Sequence, residues 1–282
     1  MTPDPKLPIE VQECILVQLH DDYETLKACS MVCRAWSWAT RTQLFRRIEL
    51  RNRCNCVLFL SLLEESSRAG TGVSNLVREL QLPRLGFPNR GARLDRRLEL
   101  LRSITRRLPM VEVLRVENYR IDALLYCLWS EDEGFNMQGA ILSILSFPNL
   151  KTLQFSYMET ESVTELLEFL GAFPTVSTLH LHHISTRGGS IALDRAAIQA
   201  FVTGRQQGPI SIQELSGNDF LLSREQFSEI TALMAHPFEL ALKRLEWTNQ
   251  GTSSWMPCAL LLQNMVHGAR VTLEHLLLDF SP

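Results

Sequence analysis

Apolar residues recur along this chain at one spacing, apolar-x-x-apolar-x-apolar. The hexamers are FRRIEL at 45, VRELQL at 77, VEVLRV at 111 and LKTLQF at 150, then VSTLHL at 176, IQELSG at 212, LKRLEW at 242 and LEHLLL at 273. Alternating side chains of this kind suit a strand with one covered face. Between hexamers the apolar period lengthens to that of a helix. SVTELLEFLGAFP opens on the capping pair Ser162 and Glu165 and sets Val163, Leu166, Leu167 and Leu170 on one face. SREQFSEITALMAHP repeats the device with Ser223 and Gln226 and stops before Pro237. LDRRLELLRSITRRLP, ILSILSFP and MPCALLLQNMVHG carry similar stripes. Strand alternating with helix at a quasi-regular interval predicts an α/β solenoid over residues 46 to 282, with parallel strands on the concave face and helices outside.

Residues 1 to 45 follow another pattern. LPIEVQECILVQL places Pro8 in a first helical turn, where its missing N–H costs nothing, and sets Val11, Ile15 and Leu19 at four-residue steps beside Leu16. His20-Asp21-Asp22 breaks the stripe and supplies capping carboxylates. A second helix is predicted over YETLKACSMVCRAW and a short third over WSWATRTQLF, ending near Phe45. So small a unit covers only part of its own apolar surface, so something else is expected to cover the remainder.

The order Leu7-Pro8, Val11, Ile15, Leu19, Leu26, then Val32-Cys33-Arg34-x-Trp36 resembles an F-box. That resemblance implies a three-helix module docking on the Skp adaptor of a cullin–RING ubiquitin ligase. It assigns adaptor binding to Leu7, Pro8, Val11, Ile15, Leu16, Val32 and Trp36, the alternative being that these residues are internal core. Leu19, Leu26 and Cys29 are expected inside. The hexamers in turn look like a leucine-rich-repeat solenoid of degenerate type. The family pattern places Asn or Cys at the ninth repeat position, whereas this chain has Arg53, Leu85, Tyr119, Met158, Ile184, Phe220, Gln250 and Ser281 there. Without an asparagine ladder, and with variable spacing, the expected shape is an uneven arc. The last hexamer is followed closely by Ser281-Pro282 with no terminal cap, which predicts a longer native chain or some other cover for the final strand.

Alternation assigns the polar positions of each hexamer to the concave face. A target-binding surface would then include Arg115, Glu117, Gln154, His180, His182, Arg244 and Glu246, the alternative being an ordinary solvated sheet face. The longest repeat step hides an insertion, NYRIDALLYCLWSEDEGFNM. Its Trp129 and Phe135 flank the acidic Glu131-Asp132-Glu133, and they serve either as a binding anchor or as a seal on the repeat core. Residues 84 to 107 hold eight arginines, read as a solvated helix back and loop or as a patch for an acidic partner.

Composition removes several alternatives. The chain has 282 residues, 45% hydrophobic and 21% charged, with a net charge of −3, so no global attraction to nucleic acid is expected. No apolar run reaches the roughly 20 residues of a spanning helix, and the N-terminus lacks the pattern of a secretory signal. Seven cysteines in no framework spacing fit a cytoplasmic or nuclear protein with reduced thiols. Cys54-Asn-Cys56 has no second ligand pair at zinc-like spacing, and His180-Leu-His182-His183 has no assured acidic or thiol partner, so no metal or cofactor is expected. No phosphate-binding glycine loop and no nucleophile motif appears. The expected function is a non-catalytic substrate-recognition adaptor of a Skp–cullin–F-box ligase. The alternatives are a non-degradative binding scaffold and an enzyme built on the histidine strand.

Overall fold

The computed structural model describes residues 8–19, 21–82, 93–118, 137–160, 166, 169–186, 210–218, 238–248 and 255–279. Over these residues the chain is α/β, built on one open sheet of eight parallel strands in sequential order. The strands are β1 (Arg47–Glu49), β2 (Glu79–Gln81), β3 (Val113–Glu117), β4 (Thr152–Thr160), β5 (Thr178–Thr186), β6 (Ile210–Asn218), β7 (Phe238–Thr248) and β8 (His275–Asp279). Each hexamer coincides with one of them. Three helices, α1 (Ile9–Gln18), α2 (Tyr23–Cys29) and α3 (Arg34–Leu44), precede the sheet. Helix α4 (Arg53–Arg68) joins β1 to β2, and α5 (Arg93–Thr105), α6 (Met137–Ile144) and α7 (Trp255–Gly268) precede β3, β4 and β8. Such an order is compatible with a solenoid. The segments SREQFSEITALMAHP and 119–136, and residues 162–165, 167 and 168 of SVTELLEFLGAFP, lie outside the described residues.

The core follows from the register. Leu80, Leu114, Leu153, Leu179, Leu215, Leu245 and Leu276 are paired partners across successive strands, and all but the last are buried. Two residues on, the row reads Val116, Phe155, Leu181, Gly217, Trp247 and Leu278. The break at Gly217 is steric: a Cβ there would stand 2.7 Å from the Trp247 ring and 3.1 Å from the Leu181 carbonyl oxygen. The missing side chain of one repeat makes room for the indole of the next.

Two residues of the ninth repeat position go inward although neither is asparagine, whereas Arg53 is exposed. Met158 and Ile184 are register partners and are buried. The residue before each turns the chain: Tyr157 and His183 have φ of 56° and 54°, and Asn118, at the same point of β3, has 52°. Left-handed backbone is costly for a ring-bearing side chain, so it persists only where the surroundings enforce it. Here two apolar ninth residues are buried in exchange.

Hydrogen bonds stitch each repeat to the one before. The N–H groups of Glu112, Lys151, Ser177, Gln213 and Glu274 donate to carbonyls of Arg78, Glu112, Lys151, Ser177 and Lys243 at 2.8–2.9 Å. Below them, Thr175 Oγ1 donates to the Leu150 carbonyl at 2.7 Å and Thr272 Oγ1 to that of Leu242 at 2.9 Å. The N–H and C=O groups just outside the sheet are therefore satisfied repeat by repeat.

The second helix is shorter than the apolar pattern predicts. It ends at Cys29, and α3 begins at Arg34. Ser30 Oγ turns back to the Lys27 carbonyl at 2.6 Å, and Cys33 takes the N-cap, its sulfur accepting from the Trp36 N–H at 3.5 Å. Local capping breaks the helix where the apolar period continues.

Candidate functional site

Two surfaces carry the sequence-derived candidates. On the first, Pro8 stands just ahead of α1 as its N-cap, and its carbonyl accepts from Val11 and Gln12, both at 3.1 Å. Val11 and Ile15, one turn apart, face outward at 42% and 41% exposure. Leu16 points the other way at 1% exposure, so it belongs to the module's interior with Leu26 and not to its exposed face. Val32 is 68% exposed in the α2–α3 connection, and Trp36 is half-buried. Leu7 lies outside the described residues. Four exposed apolar side chains were not foreseen from the sequence: Val17, Tyr23, Met31 and Trp38. Their signal was present, since a unit of three short helices cannot bury so many large side chains.

Between this module and the first repeat runs a cleft of about 710 Å³, lined by Tyr23, Leu26 and Leu44 on the helical side and by Arg47, Glu49 and Arg51 on the other. Arg51 is already paired with Glu49 at 3.0 Å.

The second surface is the polar face of the sheet. Register places Gln81, Arg115, Gln154, His180, Ser216, Glu246 and Leu277 in one row and Glu117, Ser156, His182, Asn218, Thr248 and Asp279 in the next. Charges toward its flanks are matched locally. Arg115 pairs with Glu79 at 3.1 Å, and Gln81 Nε2 donates to Glu117 at 3.0 Å. Arg244 Nε donates to Glu246 at 2.8 Å, and His275 Nε2 lies 3.7 Å from the same carboxylate. Apart from Glu214, the middle strands carry hydroxyls, amides and imidazoles there.

There His180 Nδ1 meets Ser216 Oγ at 2.5 Å, and the rings of His180 and His182 lie near-parallel with centroids 6.4 Å apart. Partial burial lowers the His180 pKa, helped by repulsion from His182 and opposed by Glu214 and Glu246. Burial also lowers that of His182, against its hydrogen bond to Asn218. Both imidazoles are thus neutral near pH 7. At the rim, His183 stacks on the exposed Tyr157 with centroids 4.5 Å apart and planes 7° from parallel, and its N–H donates to Asn218 Oδ1 at 3.2 Å. This pair sits on the two left-handed residues, and nothing in the residue types announces it.

Other candidates do not converge. Cys54 is exposed and Cys56 buried, so the Cys-x-Cys pair of α4 does not share a face, and burial raises the Cys56 thiol pKa. Among the described residues no group of three or more His, Cys, Asp or Glu side chains is placed to hold a metal, and no helix is long and apolar enough to cross a membrane. Of the arginine cluster, Arg102 donates to Ser143 Oγ at 2.9 Å and Arg107 meets Glu64 at 3.4 Å, while Arg84 and Arg90 lie outside the described residues, as do Trp129 and Phe135. No family model and no curated protein matches the chain.

Proposed function

We propose that this protein is a non-catalytic adaptor, the substrate-recognition subunit of a Skp–cullin–F-box ubiquitin ligase. Residues 1 to 45 act as the F-box that docks the Skp adaptor, and the following repeats act as a leucine-rich-repeat solenoid whose polar face holds a protein target. Ubiquitin transfer then occurs on other subunits, and proximity is the mechanism. The observation that carries the reading is the outward pair Val11 and Ile15 with the exposed Val32, apolar positions of the F-box-like motif left uncovered on a module too small to bury them.

Covering a large aliphatic side chain is worth roughly 1.5–3 kcal/mol. The double substitution Val11→Asp/Ile15→Asp is therefore expected to reduce capture of a co-expressed Skp adaptor at least a hundredfold while leaving the circular dichroism of the repeats unchanged. Undiminished capture by a folded double variant would remove the docking surface from the account. If capture fails as expected but a co-purified target is never ubiquitinated by the assembled ligase, the protein is a binding scaffold instead.

A further inference from the structure

The cleft between the three-helix module and the first repeat holds two polar groups that the chain itself leaves unanswered. Gln43, in the last turn of α3, lines it, and its side-chain Oε1 is buried with no hydrogen-bond partner. Buried acceptors are almost always satisfied, so an orphaned one calls for an explanation. Arg47, the first residue of β1, lines the same cleft, and the ion pairs of the described residues do not include it. Gln43 and Arg47 flank the turn that joins α3 to β1, closed by the Arg46 N–H on the Gln43 carbonyl at 3.3 Å. The acceptor and the cation therefore belong to one wall of the cleft. Its two carboxylates are engaged elsewhere: Arg51 holds Glu49 at 3.0 Å, and Asp21 has an interaction of its own within the chain. Facing them are Leu44, the buried Leu26 and the 60% exposed Tyr23, with the Asn55 amide at the start of α4.

We propose that this cleft takes the C-terminal residue of a second polypeptide, one whose last side chain is apolar. The cleft offers a cation, a lone acceptor and an apolar wall, and a chain terminus carries the complement of all three on one Cα. Its carboxylate meets the Arg47 guanidinium, whose planar fork matches a carboxylate through two parallel hydrogen bonds. The peptide N–H of the same residue donates to Gln43 Oε1. Its side chain lies against Tyr23 and Leu44, above Leu26.

Other anions fit less well. An internal aspartate or glutamate spends its side chain on the charge and has nothing left for the apolar wall. A phosphate group brings more charge and no apolar part, and it would stand beside Asp21 and Glu49. At about 710 Å³ the cleft has the size of a ligand site and holds more than one residue, so the residues ahead of the terminus lie in it too. The assignment needs neither ubiquitin transfer nor the polar face of the sheet, and so it stands apart from the adaptor reading.

Fluorescence anisotropy of the full chain with an N-terminally labelled Gly-Gly-Gly-Leu peptide, its carboxylate unblocked, tests this. Saturable binding is expected, weakened about tenfold when the same peptide ends in a carboxamide. N-acetylleucine is expected to compete about tenfold less well than the unlabelled peptide, and equal competition would assign the cleft to a small acid and overturn the polypeptide. Arg47→Gln keeps the length of the side chain without its charge and is expected to weaken the peptide about tenfold, with an unchanged circular dichroism spectrum. Gln43→Met keeps the shape and removes an amide that, among the described residues, bonds to nothing. It is expected to weaken the peptide about threefold without lowering the urea midpoint of the protein alone. No binding to the parent chain, binding that ignores the carboxamide, or binding indifferent to either substitution overturns the proposal. A lowered midpoint in Gln43→Met overturns it equally, since the amide would then belong to the fold and not to a ligand.

Discussion

At one end of the sheet, β1 is three residues long, its single apolar residue Ile48 lies between Arg47 and Glu49, and Arg51 pairs with Glu49 just beyond. At the other end, β8 is five residues long and carries three consecutive exposed leucines between a histidine and an aspartate. Both are edges of the same parallel sheet with the same repeat pattern. Shortness and charge are the usual means by which an edge avoids pairing, and β1 has both. Strand β8 is longer, and its one carboxylate, Asp279, stands at its end. The contrast teaches that one repeat pattern can carry strands of either chemistry.

The largest break in that contrast should come from Trp247, which lies in register between Gly217 and Leu278 and is fully buried. Trp247→Ala is expected to cost about 3–5 kcal/mol in urea denaturation. Hydrogen exchange should show the loss concentrated in β6 to β8, with β1 and β2 keeping their protection. Equal loss at both ends would mean that the sheet unfolds as one unit. A smaller change at the same place is Gly217→Ala, whose methyl group would meet the indole at 2.7 Å. Overpacking there is expected to cost about 1–3 kcal/mol, read as a lower urea midpoint with an unchanged slope.

The guarded end has its own lever in Asn52, the N-cap of α4, which accepts from the Asn55 N–H at 3.0 Å. Asn52→Ala is expected to cost about 1 kcal/mol, with exchange speeding up in α4 and not in β8. The smallest effect belongs to the middle of the sheet and sharpens the comparison by touching neither end. His180 and His182 have folded-state pKa values lowered by burial. The unfolded chain, with ordinary imidazoles, binds more protons once the pH drops below about 6.5. Stability is therefore expected to be level above that pH and to fall as the pH descends toward the lowered folded values. His180→Gln/His182→Gln should flatten the slope, and an unchanged slope would place the acid sensitivity elsewhere.

Much of this architecture was legible because alternation in a half-covered strand leaves a short, repeated mark. The eight hexamers locate the eight strands, and the polar rows follow from the same parity. Legibility failed where a decision rests on one turn or on a distant partner. Ile15 and Leu16 are adjacent apolar residues of one helix, and a rotation of about 100° sends one out and the other in. The end of α2 at Cys29 hides inside an apolar period that runs on to Trp36, because the break is made by a serine hydroxyl and a cysteine cap. Tyr157 and His183 are not residues that announce left-handed backbone. Their conformation is imposed by the burial of Met158 and Ile184 beside them.

Gly217 and Trp247 stand thirty positions apart in the chain and share one volume. Their histories are therefore entangled. A lineage that enlarged the glycine first would crowd the indole, and one that shrank the indole first would open a void beneath the glycine. Only after one of those losses has been tolerated does the other change become an improvement. The two sites therefore form a steric ratchet: from the present pair, a single change at either position passes through a less stable protein, and only altering both together avoids it.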